Sequence, residues 1–89
     1  MIARTASAGS LESSDCLVTV TPSESFELDY AGANKKLFLK RTEGVARQVL
    51  AEYSVENARL HIQDQGALEA TLRARIETAL ERAMENLGS

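Results

Sequence analysis

The sequence predicts an α+β fold, a small, mostly antiparallel sheet with two main helices packed on one face. Three observations lead there. Three short runs alternate apolar and polar residues with a period of two, as strands with one solvated face do. A long carboxyl-terminal run repeats Leu, Ile and Met at spacings of three and four, the period of an amphipathic helix. The order strand, strand, helix, strand, helix leaves two apolar stripes that neither helix can bury alone, and one face of a sheet covers both. The 89 residues suffice for a single domain with a modest core.

Taken in order, residues 1–14 show no hydrophobic period and carry Thr5, Ser7, Ser10, Ser13 and Ser14 with Gly9. They read as a flexible arm, leaving 15–89 as the α+β domain. "CLVTVT" at 16–21 is β-branched and alternating, and Pro22 with the serines after it makes a turn. "SFELDY" at 25–30 sets Phe26, Leu28 and Tyr30 against Glu27 and Asp29. The two runs suggest an antiparallel hairpin or a pair of neighbouring strands. "AGANKK" at 31–36 reads as a loop, and "LFLK" at 37–40 suits either a short strand or a helix entry. From Thr42, a fair N-cap, Val45, Val49, Leu50 and Tyr53 share a helical face, and Gly44 weakens the start. "ARLHIQ" at 58–63 turns Ala58, Leu60 and Ile62 inward, and "DQG" at 64–66 ends it. Leu68, Leu72, Ile76, Leu80, Met84 and Leu87 then form the helical stripe, widened by Ala79 and Ala83 and stopped at Gly88. Residues 67–74 also alternate, so a strand pairing back on 58–63 is a second reading there.

Composition narrows the chemistry. The apolar fraction is 44% and the charged fraction 26%, ordinary for a folded domain. Net charge is −3 and the pI near 5.1, which gives no electrostatic footprint for nucleic acid. No run is long enough to span a membrane and no signal peptide is visible, so the expected location is the cytoplasm. One Cys and one His exclude both an intrachain disulfide and a Cys/His zinc site within one chain.

His61 could be a general base, but no nucleophile is set beside it, and an outward strand residue is the simpler reading. Cys16 reads as a small buried hydrophobe and not as a nucleophile. Lys35, Lys36, Lys40 and Arg41 could meet phosphates or be a solvated helix entry. Arg73, Arg75 and Arg82 among glutamates read as a solvated face with intrahelical pairs. With no phosphate loop, metal motif or catalytic constellation, the residues alone describe a non-enzymatic binding or carrier module.

"AGSLESSD" followed by "VTVTP" resembles the amino terminus of the citrate lyase acyl carrier proteins, the gamma subunits of citrate lyase. A second block, "YSVENARL" leading to "QGALEATLRARIE", is similar to that family's tract around "KGALDC…RARLE". The match is weak between the blocks. The resemblance implies a covalently attached 2'-(5''-phosphoribosyl)-3'-dephospho-coenzyme A, held by a phosphodiester on the serine after the glutamate of "LES". That serine is Ser13; Ser14, where many relatives have Gly, stands second. The arm's thiol would carry acetyl and citryl groups. The alpha subunit (acyl transferase) would exchange citrate for acetate, the beta subunit (citryl lyase) would release oxaloacetate, and a prosthetic-group transferase would load the serine. Glu12 and Asp15 are candidates for recognition by that transferase. A malonate decarboxylase carrier subunit, with the same kind of cofactor, and a cofactor-free interaction domain docking through the last helix are the alternatives.

Overall fold

The computed structural model describes residues 2–84. Strands β1 (Ala6–Gly9), β2 (Cys16–Thr21), β3 (Glu27–Gly32) and β4 (Arg59–Asp64) form one sheet in the order β1-β2-β4-β3. The β1/β2 and β2/β4 pairs are antiparallel and β3/β4 is parallel. Helix α1 (Lys35–Glu52) connects the parallel strands, and α2 (Glu69–Met84) follows β4.

Alternation puts the core on one side of this sheet. The register aligns Ala8, Val18, Ile62 and Tyr30 in one buried cross-strand row. The neighbouring row Ser7, Thr19, His61 and Asp29 points the other way and is exposed or half-exposed. That outer face is held by polar pairs, with Ser7 Oγ 3.1 Å from Thr19 Oγ1 and Arg59 Nη2 2.7 Å from Asp29 Oδ2. On the inner face α2 lies against β1 and β2, α1 lies against β3, and the helices pack on each other. Leu60, Ile62, Leu72, Ile76 and Leu80 are fully buried there, each worth about 1.5–3 kcal/mol relative to exposure.

Four expectations are corrected. β2 and β3 are not neighbours, because β4 lies between them. A strand–helix–strand connection returns the chain parallel to its start, and the second strand of that unit takes the central place. Helix α1 begins at Lys35 and absorbs "LFLK", and Thr42 is a buried mid-helix residue instead of its cap. Asn34, in the left-handed region at φ 57°, is the actual N-cap residue. Residues 6–9 of the stretch read as an arm are β1, and Ala3 and Arg4 donate backbone N–H bonds of 2.9 and 3.2 Å to Ala83 O. Small Ala6 and Ala8 suit close approach to α2 but carry no large-residue period to reveal a strand. The arginines of α2 bond to other elements: Arg73 to Glu52 and Gln48 of α1, Arg75 to Asp15, and Arg82 to Ser7 O at 2.8 Å.

The double reading of 67–74 resolves to helix from Glu69, with Leu68 before it and largely exposed. The expectations for Leu87 and Gly88 lie outside the described residues.

Candidate functional site

The register sets the β1–β2 loop, the carboxyl ends of β3 and β4 and the starts of both helices at one end of the sheet, because Cys16 pairs with Asp64 and Asp64 with Gly32. The loop runs from Ser10 to Asp15. It begins at Gly9, whose φ of +104° suits glycine and where a Cβ would stand 1.9 Å from Cys16 O.

The base of the loop is heavily bonded. Ser10 N–H donates to Cys16 O at 3.2 Å, and Ser10 Oγ donates to Asp15 Oδ2 at 2.7 Å. Asp15 Oδ1 also accepts from Cys16 N–H at 2.7 Å. Arg75 closes on both Asp15 oxygens, Nε to Oδ1 and Nη2 to Oδ2, each at 2.9 Å. A two-pronged guanidinium–carboxylate contact fixes orientation as well as distance. Arg75 first, then Ser10 and the Cys16 N–H, hold the Asp15 carboxyl well below the usual carboxylate range. The turn after β4 adds two main-chain bonds, Ser14 N–H to Gln65 O at 2.8 Å and Gln65 N–H to Asp15 O at 2.9 Å.

The tip differs. Glu12 to Asp15 form a four-residue turn closed by Asp15 N–H to Glu12 O at 3.1 Å. Its third residue, Ser14, has φ +68°, a conformation that glycine takes without steric cost. Ser13 and Ser14 are both exposed, and neither hydroxyl has a hydrogen-bond partner among the described residues. The side chain of Ser13 is therefore open to a modifying enzyme, and its residues fit a group attached through Oγ.

The other candidates separate clearly. Cys16 is fully buried, and burial above all pushes its thiol up to about 11, so it is no nucleophile at neutral pH. His61 is exposed on the outer face of β4, away from the loop end. Lys35, Lys36 and Lys40 are exposed on the first turns of α1. Arg41 departs from the solvated reading: its guanidinium lies 4.7 Å from the Phe38 ring centroid and 3.5 Å from Asp64 Oδ2. Asp15 likewise faces inward and positions the loop. The clamp formed by Arg75 was missing from the sequence reading, and with the partners 60 positions apart no local pattern announces it.

A small domain that presents an exposed serine on a turn with a bonded base has the form of a carrier. Residues 3–83 match the family model for acyl carrier proteins described as malonate decarboxylase delta subunit (MdcD). The citrate lyase acyl carrier protein of Treponema denticola is 46% identical over 84 residues, covering 94% of this chain and 97% of that protein. The protein of the same name from Serratia proteamaculans is 45% identical over 87 residues, covering 96% and 85%. The chain belongs to the family of citrate lyase acyl carrier proteins. Its fold recurs, at 18% identity and a TM-score of 0.70, in a chain of a Pseudomonas malonate decarboxylase hetero-tetramer solved in complex with malonate, over 91% of this chain and 84% of that one.

Proposed function

We propose that the chain is the acyl carrier subunit of a citrate lyase and bears 2'-(5''-phosphoribosyl)-3'-dephospho-coenzyme A on Ser13 Oγ. The observation that carries this reading is the contrast at the loop: Ser13 is exposed and its hydroxyl has no partner among the described residues, while the residues around it are tied to β4, α2 and Cys16. When attached, the group supplies the thiol on which acetyl and citryl groups travel while citrate becomes acetate and oxaloacetate. The chain's own part is to present the serine and hold its base still. For attachment, Ser13 Oγ forms the bond to phosphorus, its proton passes to a base of the transferase, and the leaving group on phosphorus departs with the electron pair. A tethered arm then raises the effective concentration of its end at two partner sites in turn. Those partners are the acyl transferase and citryl lyase subunits, and the location is the cytoplasm. No helix among the described residues is long and apolar enough to cross a membrane.

A malonate decarboxylase carrier is the second reading, favoured by the description of the family model and by the structural neighbour. Relatives named for citrate lyase at 36–46% identity favour the first.

The test is intact mass of the chain from its native host, with peptide mapping across Ser13 and Ser14. The expected result is the full prosthetic-group mass on Ser13, lost in Ser13→Ala and kept in Ser14→Ala. An unmodified chain from citrate-degrading cells that contain the transferase would overturn the carrier reading.

A further inference from the structure

A pocket of about 580 Å³ opens at the same end of the sheet as the Ser13 loop, within the ~300–1,000 Å³ range of small-molecule sites. Phe38 and Arg41 of α1, Gln63 of β4 and Gln65, Ala67 and Leu68 of the following turn are among its walls. Gln65 joins the pocket to the loop, since its main chain bonds both Ser14 N–H and Asp15 O.

The wall contains an unfinished polar group. Arg41 Nε and Nη2 are shut off from solvent and have no hydrogen-bond partner among the described residues. The Asp64 carboxylate beside them, itself part of the pocket wall, is committed elsewhere. Asp64 Oδ2 accepts from Tyr30 Oη at 2.5 Å, and Asp64 Oδ1 accepts from Gly66 N–H at 3.0 Å and Ala67 N–H at 2.8 Å. Arg41 Nη2 stays 3.5 Å from Oδ2, an ion pair without a hydrogen bond. The Arg41 side chain is itself a quarter exposed in the pocket wall, so its guanidinium can take an acceptor from water or from a molecule in the pocket. Beside them stands the Phe38 ring, with the Arg41 guanidinium 4.7 Å from its centroid, and Gln63 and Gln65 also line the pocket. A cation beside an aromatic surface suits the phosphate and the base of a nucleotide.

We infer that this pocket holds the nucleotide portion of the prosthetic group attached at Ser13, with Arg41 receiving a phosphate oxygen and Phe38 facing the base; this rests on the carrier reading above. The portion bonded closest to the serine is the sugar phosphate and adenosine, so it is the part that the loop delivers to the Gln65 side. The thiol end lies farthest along the arm and stays outside. Seating the near half shortens the mobile part of the arm, which raises the effective concentration of the thiol over a smaller volume.

The test compares ¹⁵N-labelled loaded chain, its mass verified, with unmodified chain by ¹H–¹⁵N NMR. Loading is expected to shift the Arg41 Nε–H and the amides of Gln65, Gly66 and Ala67. Free dephospho-coenzyme A, titrated into unmodified chain at millimolar concentrations, is expected to shift the same signals. Ala33→Glu, on an exposed residue of the pocket rim, should weaken that binding about two- to fivefold by charge repulsion. Arg41→Gln should weaken it more, and the rim variant keeps the test open if Arg41→Gln does not fold. A loaded chain whose shifts stay within residues 10–16 overturns the inference and leaves the carrier reading intact. Shifts that appear only after the thiol is acetylated also overturn it, since they put the acyl end in the pocket. If the mass shows no group at all, the carrier reading fails by itself. The free-nucleotide titration then judges the pocket, and silence at Arg41 and Gln65 overturns the inference.

Discussion

The base and the tip of the β1–β2 loop are adjacent in sequence and opposite in character. At the base, Ser10, Asp15, Arg75 and the backbone of Cys16 and Gln65 satisfy one another. At the tip, Ser13 and Ser14 are exposed, and neither hydroxyl has a hydrogen-bond partner among the described residues. A site for covalent attachment needs both conditions. The nucleophile must be reachable, yet it must be held where a transferase can align it, since misplacement by about 1 Å can cost on the order of a hundredfold in rate. The difference shows that access and order need not compete when separate residues supply them.

Substitutions at either region break or sharpen this contrast. The largest effect is expected at Gly9, where an added Cβ meets the Cys16 carbonyl in a backbone conformation hostile to other residues. Gly9→Ala should lower unfolding free energy by on the order of 3 kcal/mol in urea titrations. A variant as stable as the parent would show that the base is not rigid. Next comes the clamp. Arg75→Ala should leave the chain folded by circular dichroism but slow prosthetic-group transfer about ten- to a hundredfold, with faster amide exchange at Ser14 and Asp15. An unchanged transfer rate would mean that the tip needs no fixed base.

Acid probes the same clamp without mutation. The Asp15 carboxyl is held below its ordinary value of 3.8, chiefly by Arg75. A depressed acid contributes stability that is complete above the ordinary value and is lost as pH falls from there through the folded value. Thermal midpoints should therefore fall below about pH 3.8 more steeply in the parent than in Asp15→Asn. Asp29, lowered by Arg59, contributes the same sign to both proteins and cancels in the comparison. Equal slopes would remove Asp15 from the account. The smallest effect belongs to the tip, where Ser14→Gly relieves a left-handed residue and should raise stability by about 0.5–1 kcal/mol in the same urea titrations. A loss would mean that the Ser14 side chain supports the turn.

Much of this fold was legible because large side chains announce themselves. Val18, Leu60 and Ile62 alternate within their strands, and Leu72, Ile76 and Leu80 recur at helical spacing, so β2, β4 and α2 stood out. β1 did not, since its inward residues are alanines that fit under α2. The start of α1 was read too late because buried Thr42 looks like a cap, although Phe38, Thr42, Val45 and Val49 continue one stripe. The parallel pairing of β3 with β4 was within reach, since a helix between two strands favours it. The loop is another matter. Periodicity says nothing of a free hydroxyl, so Ser13 came from resemblance, and the partners Asp15 and Arg75 meet only once α2 has packed across β1 and β2.

One feature of the opposite end bears on how the molecule can be handled. Ala3 donates to Ala83 O at 2.9 Å, so positions near the two termini of the described chain meet. Helix α2, 16 residues and about 24 Å long, separates that meeting point from the serine loop. A circular permutant joined across residues 3 and 83 and reopened in the exposed turn at Pro22 keeps every strand pairing intact. A surface tether through the same junction holds the molecule by its far end and leaves the exposed Ser13 loop facing solution.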